Sequence, residues 1–159
     1  MTADAERARE AVTTPPALMA APGYLARRIY QSYVALWTRV VDPVLTGPQF
    51  AVLTVVDGHP GMDQGSLASS VALDRSTMTD VVRRMEAAGL IVRQTALHDG
   101  RRKLLYMTDE GRRRLAEVNR LARALDEELL RGYEGAERDR IMRELTKLAG
   151  QWESLLDDR

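Results

Sequence analysis

Met62–Thr108 reads MDQGSLASSVALDRSTMTDVVRRMEAAGLIVRQTALHDGRRKLLYMT. It predicts two short helices across a tight turn, then a two-stranded ribbon with a basic tip. Asp63 is a good N-cap, because its carboxylate accepts from the unpaired N–H groups of a first helical turn. Leu67, Ala68 and Val71 follow at helical spacing. The helix is expected to break at Ala72-Leu73, and Asp74 then opens a second one. Met78, Val81, Val82 and Met85 form its apolar stripe, and Gly89 suits the left-handed position just past a helix end. Two short helices joined this way make a helix-turn-helix.

The outer side of the second helix carries Arg75, Ser76, Thr77, Thr79, Asp80, Arg83 and Arg84. Short hydroxyls and guanidinium groups are what a recognition helix needs to reach base edges and phosphates from the major groove. A solvated helix face has a similar composition, and the helix alone does not separate the two. The ribbon shifts the balance. Leu90–Ala96 and Lys103–Met107 have strand composition, and Asp99-Gly100 between them favours a tight turn. The tip then carries Arg101, Arg102 and Lys103 into solvent. A hairpin with cations at its tip, directly after a recognition helix, is a wing whose arginines can enter the minor groove. Asp99 is placed to orient Arg101 by a charge-assisted hydrogen bond.

These pieces, in this order, resemble the winged-helix regulators named for multiple antibiotic resistance, the MarR family. The matching segments are LTGPQFAVL from Leu45, QGSLA from Gln64, LDRSTMT from Leu73 and EAAGLIVR from Glu86, followed by DGRR from Asp99 and LYMTDEG from Leu105. The family's aspartate-x-arginine wing signature falls on Asp99 and Arg101. The resemblance covers Leu45 to Leu115 closely; the flanking helices match in length and pattern only. It implies a homodimer whose terminal helices intertwine, a pseudo-palindromic double-stranded DNA operator, and a small-molecule effector site between the dimer helices and the DNA-binding lobe.

Outside this core the chain is less specific. Its 159 residues suffice for one domain. Cysteine is absent, which excludes disulfides, thiolate metal sites and a thiol redox switch. The formal net charge is zero, yet Val71–Tyr106 holds seven Lys or Arg against four Asp or Glu, a local excess of three. Binding to phosphate through such a patch should be strongly salt-sensitive. No apolar run approaches a membrane span and no signal peptide is visible, so a cytoplasmic protein is expected. Residues 1–22 read as a mobile N-terminal arm, broken by Pro15-Pro16 and Pro22-Gly23.

A helix is expected over Tyr24–Asp42, with Tyr24, Tyr30, Tyr33 and Trp37 clustered beside Arg27 and Arg28. Core and dimer packing is one account. The other is a pocket for an aromatic acid, with Arg28 as anion contact and Tyr24 and Trp37 as walls. Thr46 and Gln49 form a capping box for the next helix. After the wing, Thr108 caps a helix bearing Leu115, Val118, Leu121, Leu125 and Leu129. The last helix carries Ile141, Leu145, Leu148, Trp152 and Leu155. Neither stripe has a partner in a compact winged module, which points to a dimer interface.

The expected fold is therefore mainly α with a small β-wing. A winged helix-turn-helix lobe occupies 45–110, and dimerisation helices occupy 23–44 and 111–159 of a single domain over 23–159. The expected function is a DNA-binding transcriptional regulator, a repressor released by an aromatic acid or its acyl thioester. A winged helix that binds protein without DNA is the alternative. With two histidines, no cysteine and no nucleophile elbow or phosphate loop, no catalytic residue, metal site or cofactor is expected. Arg101→Ala is expected to weaken DNA binding by about 1–3 kcal/mol and to leave the melting temperature unchanged. Fluorescence anisotropy beside a thermal melt checks this, and wild-type affinity in that variant removes the wing from the interface.

Overall fold

Four helices begin at a side chain that accepts backbone N–H groups. Thr46, Asp63, Asp74 and Thr108 all cap as the sequence predicts, and Thr46 and Gln49 complete their reciprocal box. The structure, a computed structural model, describes residues 14–96 and 99–157, with the backbone alone for Asp99, Gly100, Arg101 and Asp157. Most of the expected arm, Met1–Thr13, lies outside the described residues, as do Leu97 and His98. The elements in order are α1 (Pro16–Met19), α2 (Pro22–Val40), α3 (Gly47–Gly58), β1 (Met62–Asp63), α4 (Gln64–Ser70), α5 (Arg75–Ala87), β2 (Ile91–Ala96), β3 (Asp99–Met107), α6 (Asp109–Leu129) and α7 (Gly135–Asp157).

The fold is mainly helical with a small antiparallel wing, as expected, but the ribbon has three strands and not two. Their order is β1-β3-β2, and Met62 and Asp63 pair with Leu105 and Leu104. A two-residue strand has no alternation to read, so periodicity could not show it. The turn is also displaced. Ala96 pairs with Asp99, so Asp99-Gly100 already lie in β3. The next pair is Thr95 with Lys103: β2 advances one residue while β3 advances four. Gly100, Arg101 and Arg102 therefore have no partner on β2 and bulge from the ribbon. Helix α2 starts at Pro22, two residues before the expected Tyr24, because a proline at N1 gives up an N–H that has no helical partner there.

The core gathers between α3, α4, α5, the sheet and α6. Leu53, Leu67, Met78, Met85, Ile91 and Leu105 are fully buried, and Val118, Ala122 and Leu125 of α6 close one side. The turn between α4 and α5 puts Ala72 at φ 52°. This left-handed conformation costs an L-residue about 1–2 kcal/mol. It is held by bonds from Ala72 N–H to Ser69 O (3.3 Å) and Leu73 N–H to Ala68 O (3.0 Å).

The terminal helices behave differently from the core. Only Trp37 of α2 is buried, while Leu25, Ile29, Val34 and Val40 are exposed, Ile29 at 62%. On α7, Met142, Leu145, Leu148, Trp152 and Leu155 are all exposed. Among the described residues, the one ion pair between α6 and α7 is Glu127 with Arg138 (2.6 Å).

The junction of the wing with α6 is tightly packed. Thr108 N–H donates to Leu90 O (3.1 Å), and its hydroxyl reaches Gly89 O at 2.6 Å and Leu90 O at 3.1 Å. A Cβ on Gly111 would stand 2.1 Å from Leu90 O and 2.7 Å from Met107 Cγ. Backbone cannot yield that distance without separating α6 from the sheet. Gly111→Ala is therefore expected to destabilise the protein by roughly 3 kcal/mol or more, read as a lower urea midpoint. A midpoint within error of wild type contradicts this packing.

Candidate nucleic-acid interface

Helix α5 turns one face inward through Met78, Val82 and Met85 and leaves the other to solvent. Arg75, Ser76, Thr77, Thr79, Asp80, Arg83 and Arg84, expected on the outer side of this helix, are all exposed. Their hydrogen bonds sort them. Asp74 Oδ1 accepts from the N–H groups of Ser76 and Thr77 (2.9 Å each), and the two hydroxyls donate to the same carboxylate. Ser76 and Thr77 thus close the first turn and face outward as acceptors. Thr79 donates to Arg75 O (2.8 Å) and accepts from Gln64 Nε2 (3.1 Å). Arg83 pairs with Asp80 at 3.2 Å, fully in solvent, where such a pair contributes little to stability. Arg75 and Arg84 make no side-chain bond to another described residue.

Gln64 was not anticipated. It opens α4, bonds across to Thr79, and lines a polar groove of about 440 Å³ between α4 and α5 with Ser69, Arg75 and Thr79. Its amide carries both donors and an acceptor, the set that matches adenine in the major groove. The signal that could have found it is the helix-turn-helix itself, which brings the start of α4 beside the start of α5.

At the wing, Lys103 Nζ donates to Thr95 Oγ1 (2.7 Å), and Arg102 Nη2 donates to Asp63 Oδ2 (2.8 Å). The side chains of Asp99 and Arg101 lie outside the described residues, so their expected bond is not part of this geometry. Arg93 of β2 pairs with Glu86, tying the ribbon to the end of α5.

A second feature lies at the end of α2. A cleft of about 230 Å³ opens between α2 and the start of α3, walled by Tyr30, Tyr33, Val34 and Trp37 and floored by Asp42 and Gly47. Trp37 is 4% exposed, packs tilted against Tyr33 and Phe50 (centroids 5.9 and 5.2 Å), and donates from Nε1 to Leu45 O at 2.7 Å. Burial pushes the Tyr33 phenol up, with Asp126 adding to the shift, so it remains a proton donor at neutral pH. Asp42 is 4% exposed and fully engaged: it accepts from the N–H groups of Val44 (2.6 Å) and Leu45 (2.7 Å) and from Arg114. Of the three residues expected at a ligand, only Trp37 lines this cleft. Arg28 stacks on Tyr24, 5.8 Å from the ring centroid, and donates to Met19 Sδ (3.2 Å). The cleft uses the Tyr30–Tyr33–Val34–Trp37 face of the helix, whereas Tyr24 and Arg28 lie on another face.

Asp63 and Asp74 share one electrostatic property. Both carboxyls are held far below the usual range: Asp63 first by the Ser66 N–H and then by Arg102, Asp74 first by the Ser76 and Thr77 hydroxyls. A depressed folded-state pKa contributes stability that is present above the unfolded value of 3.8 and lost as pH falls below it. The urea midpoint is expected to be level from about pH 7 to pH 5 and to fall below about pH 4. The fall should be smaller in Asp74→Asn, which keeps an acceptor but does not titrate. An acid limb identical to wild type in that variant contradicts the assignment.

Comparison with known proteins gives a consistent result. Residues 45–103 match the sequence model of the MarR family. The transcriptional regulator HosA of Escherichia coli O111:H- is 31% identical over 122 residues, 77% of this chain and 90% of HosA. The PcaV transcriptional regulator of Streptomyces coelicolor, solved with its natural ligand, is 33% identical and superposes with a TM-score of 0.79 over 87% of this chain and 98% of PcaV. The transcriptional repressor CouR has been solved twice in informative states. Bound to a 23-mer DNA duplex, it is 29% identical with a TM-score of 0.75 over 86% of this chain and 98% of CouR. Bound to p-coumaroyl-CoA, it gives 28% and 0.76 over 86% and 96%.

Proposed function

The chain belongs to the MarR family of transcriptional regulators, and we propose that it is a homodimeric repressor whose hold on a pseudo-palindromic operator is broken by a small aromatic ligand. The observation that carries DNA binding is the outer face of α5, where Arg75 and Arg84 stand exposed and unpaired among described residues beside hydroxyls and the Gln64 amide. In this reading α5 reads base edges, and Arg101 and Lys103 on the wing hold the minor groove and backbone. CouR bound to a DNA duplex supports the same use of the lobe.

The dimer follows from exposed apolar surface. Leu25, Ile29 and Val40 on α2 and Leu145, Leu148 and Trp152 on α7 are exposed among the described residues. A second copy buries both faces, and a two-fold arrangement sets two α5 helices against successive major grooves, about 34 Å apart. The intertwined helices then fix the spacing of the two readers.

The effector is assigned to the aromatic cleft. Tyr30, Tyr33 and Trp37 offer apolar walls for a flat ring, and the protonated Tyr33 hydroxyl offers a donor. CouR with p-coumaroyl-CoA supports an aromatic acyl thioester, and PcaV with its natural ligand supports a small-molecule site. Arg28, outside the cleft, then serves only an effector that extends toward the start of α2. Release requires that the ligand bind better to a dimer with misplaced readers than to the DNA-bound form; differential affinity alone shifts the population.

One titration tests the assignment. Labelled DNA from the region upstream of the protein's own gene is shifted with competitor DNA present. Benzoate- and cinnamate-type acids and their coenzyme A thioesters are then added. Wild type is expected to bind and to be released by at least one of these compounds. Tyr30→Ala, an exposed wall residue, should need about tenfold more of it, as loss of an aromatic contact implies. Equal release from both proteins removes the cleft from the mechanism, and no release by any compound removes the aromatic effector.

A further inference from the structure

The wing carries Arg102 at its bulge, yet the structure gives that arginine to Asp63, 39 residues earlier in the chain. We propose that Asp63 and Arg102 form a clamp that holds the wing in its DNA-binding pose, with Asp63 as a positioning residue for the operator. The proposal rests on DNA binding being the function.

Three observations carry it. Asp63 is immobilised before it meets Arg102. Its carboxylate accepts from the N–H groups of Gly65 and Ser66 (3.1 Å each) and from the Ser66 hydroxyl (2.9 Å), and its backbone pairs with Leu104. Arg102 itself sits in the run Gly100–Arg102 that has no partner on β2. Beyond the Asp63–Leu104 pair, the Arg102–Asp63 bond is therefore the last described tie between β3 and the helix-turn-helix on that edge. Finally, that bond uses one Nη2 donor, and the Arg102 side chain is 57% exposed. A guanidinium has five N–H donors, so the remainder can meet a phosphate with the group already oriented. Orientation before contact removes the ordering cost that a free arginine meets on binding.

The opposite role for the same pair is sequestration. There, Asp63 competes with phosphate for Arg102, and neutralising Asp63 strengthens binding. The two differ in sign. Asp63→Asn keeps a side-chain acceptor for the α4 cap while removing the charge. Asp63→Ser does the same with a different group, should the asparagine variant melt early. Binding of the upstream DNA duplex is measured over a range of KCl for wild type, D63N, D63S, R102Q and D63N/R102Q.

The clamp predicts that D63N and D63S weaken binding about tenfold, with the salt slope unchanged because the phosphate contacts remain. It also predicts that D63N has no effect in the R102Q background. R102Q alone should lower the salt slope by about one contact. Tighter binding by D63N, or an equal loss from D63N in the wild-type and R102Q backgrounds, overturns the clamp. Wild type that binds no duplex overturns the DNA-binding function itself, and the clamp with it; wild-type binding with unaltered D63N overturns the clamp alone.

Discussion

The carbonyl of Leu90 is the point on which the lobe turns. It lies three residues past the end of α5 and one residue before β2. The residue after the wing, Thr108, donates to it from both backbone and hydroxyl, and the first turn of α6 presses on it where Gly111 has no side chain. One acceptor therefore fixes the end of α5, both long strands and the start of the longest core-facing helix relative to each other. Hydrogen bonds of this kind contribute only about 1 kcal/mol each. Their geometric effect is larger, because the atoms approach too closely for any second arrangement of α6 to keep the same core.

Charge is distributed to the same end. The chain is neutral as a whole, but its acids are not spread evenly among its bases. On α6, Arg112 and Arg113 each have a carboxylate three residues away, and Arg131 just past its end has one as well. Exposed pairs such as these add little stability. They offset charge along α6, whereas Arg75 and Arg84 on the outer side of α5 have no bonded carboxylate among the described residues. A neutral total is thus compatible with a face that attracts phosphate over about a Debye length.

Much of this was legible in the residues because it is local. Caps, the Thr46–Gln49 box, the apolar stripes and the exposed side of α5 depend on neighbours within a turn or two, and all of them stand in the structure. What sequence did not reveal depends on contacts across long separations. The two-residue β1 exists only because Leu104 and Leu105 lie beside it. Asp99-Gly100 lie within β3 and not in a turn, because their place is set by the register with β2 and not by turn propensity. The aromatic cleft uses one face of α2 in preference to another because α3 packs there, a choice invisible along a single helix. Arg102 has the composition of a free tip cation, and only folding brings it to Asp63.

The Asp42–Arg114 pair has a mechanical consequence. Asp42 floors the cleft and fixes the loop after α2, while Arg114 belongs to α6 one turn beyond Gly111. Cleft and helix-turn-helix are therefore joined near the same end of one rod. Twenty-one residues give α6 a length of about 31 Å. Hinged near one end, a rod of that length carries its far end about 3 Å for a tilt of about six degrees. In the proposed dimer each lobe turns with its own α6 as one body and the two displacements add, so a rotation of a few degrees changes the span between the two α5 helices by an appreciable fraction of a groove width.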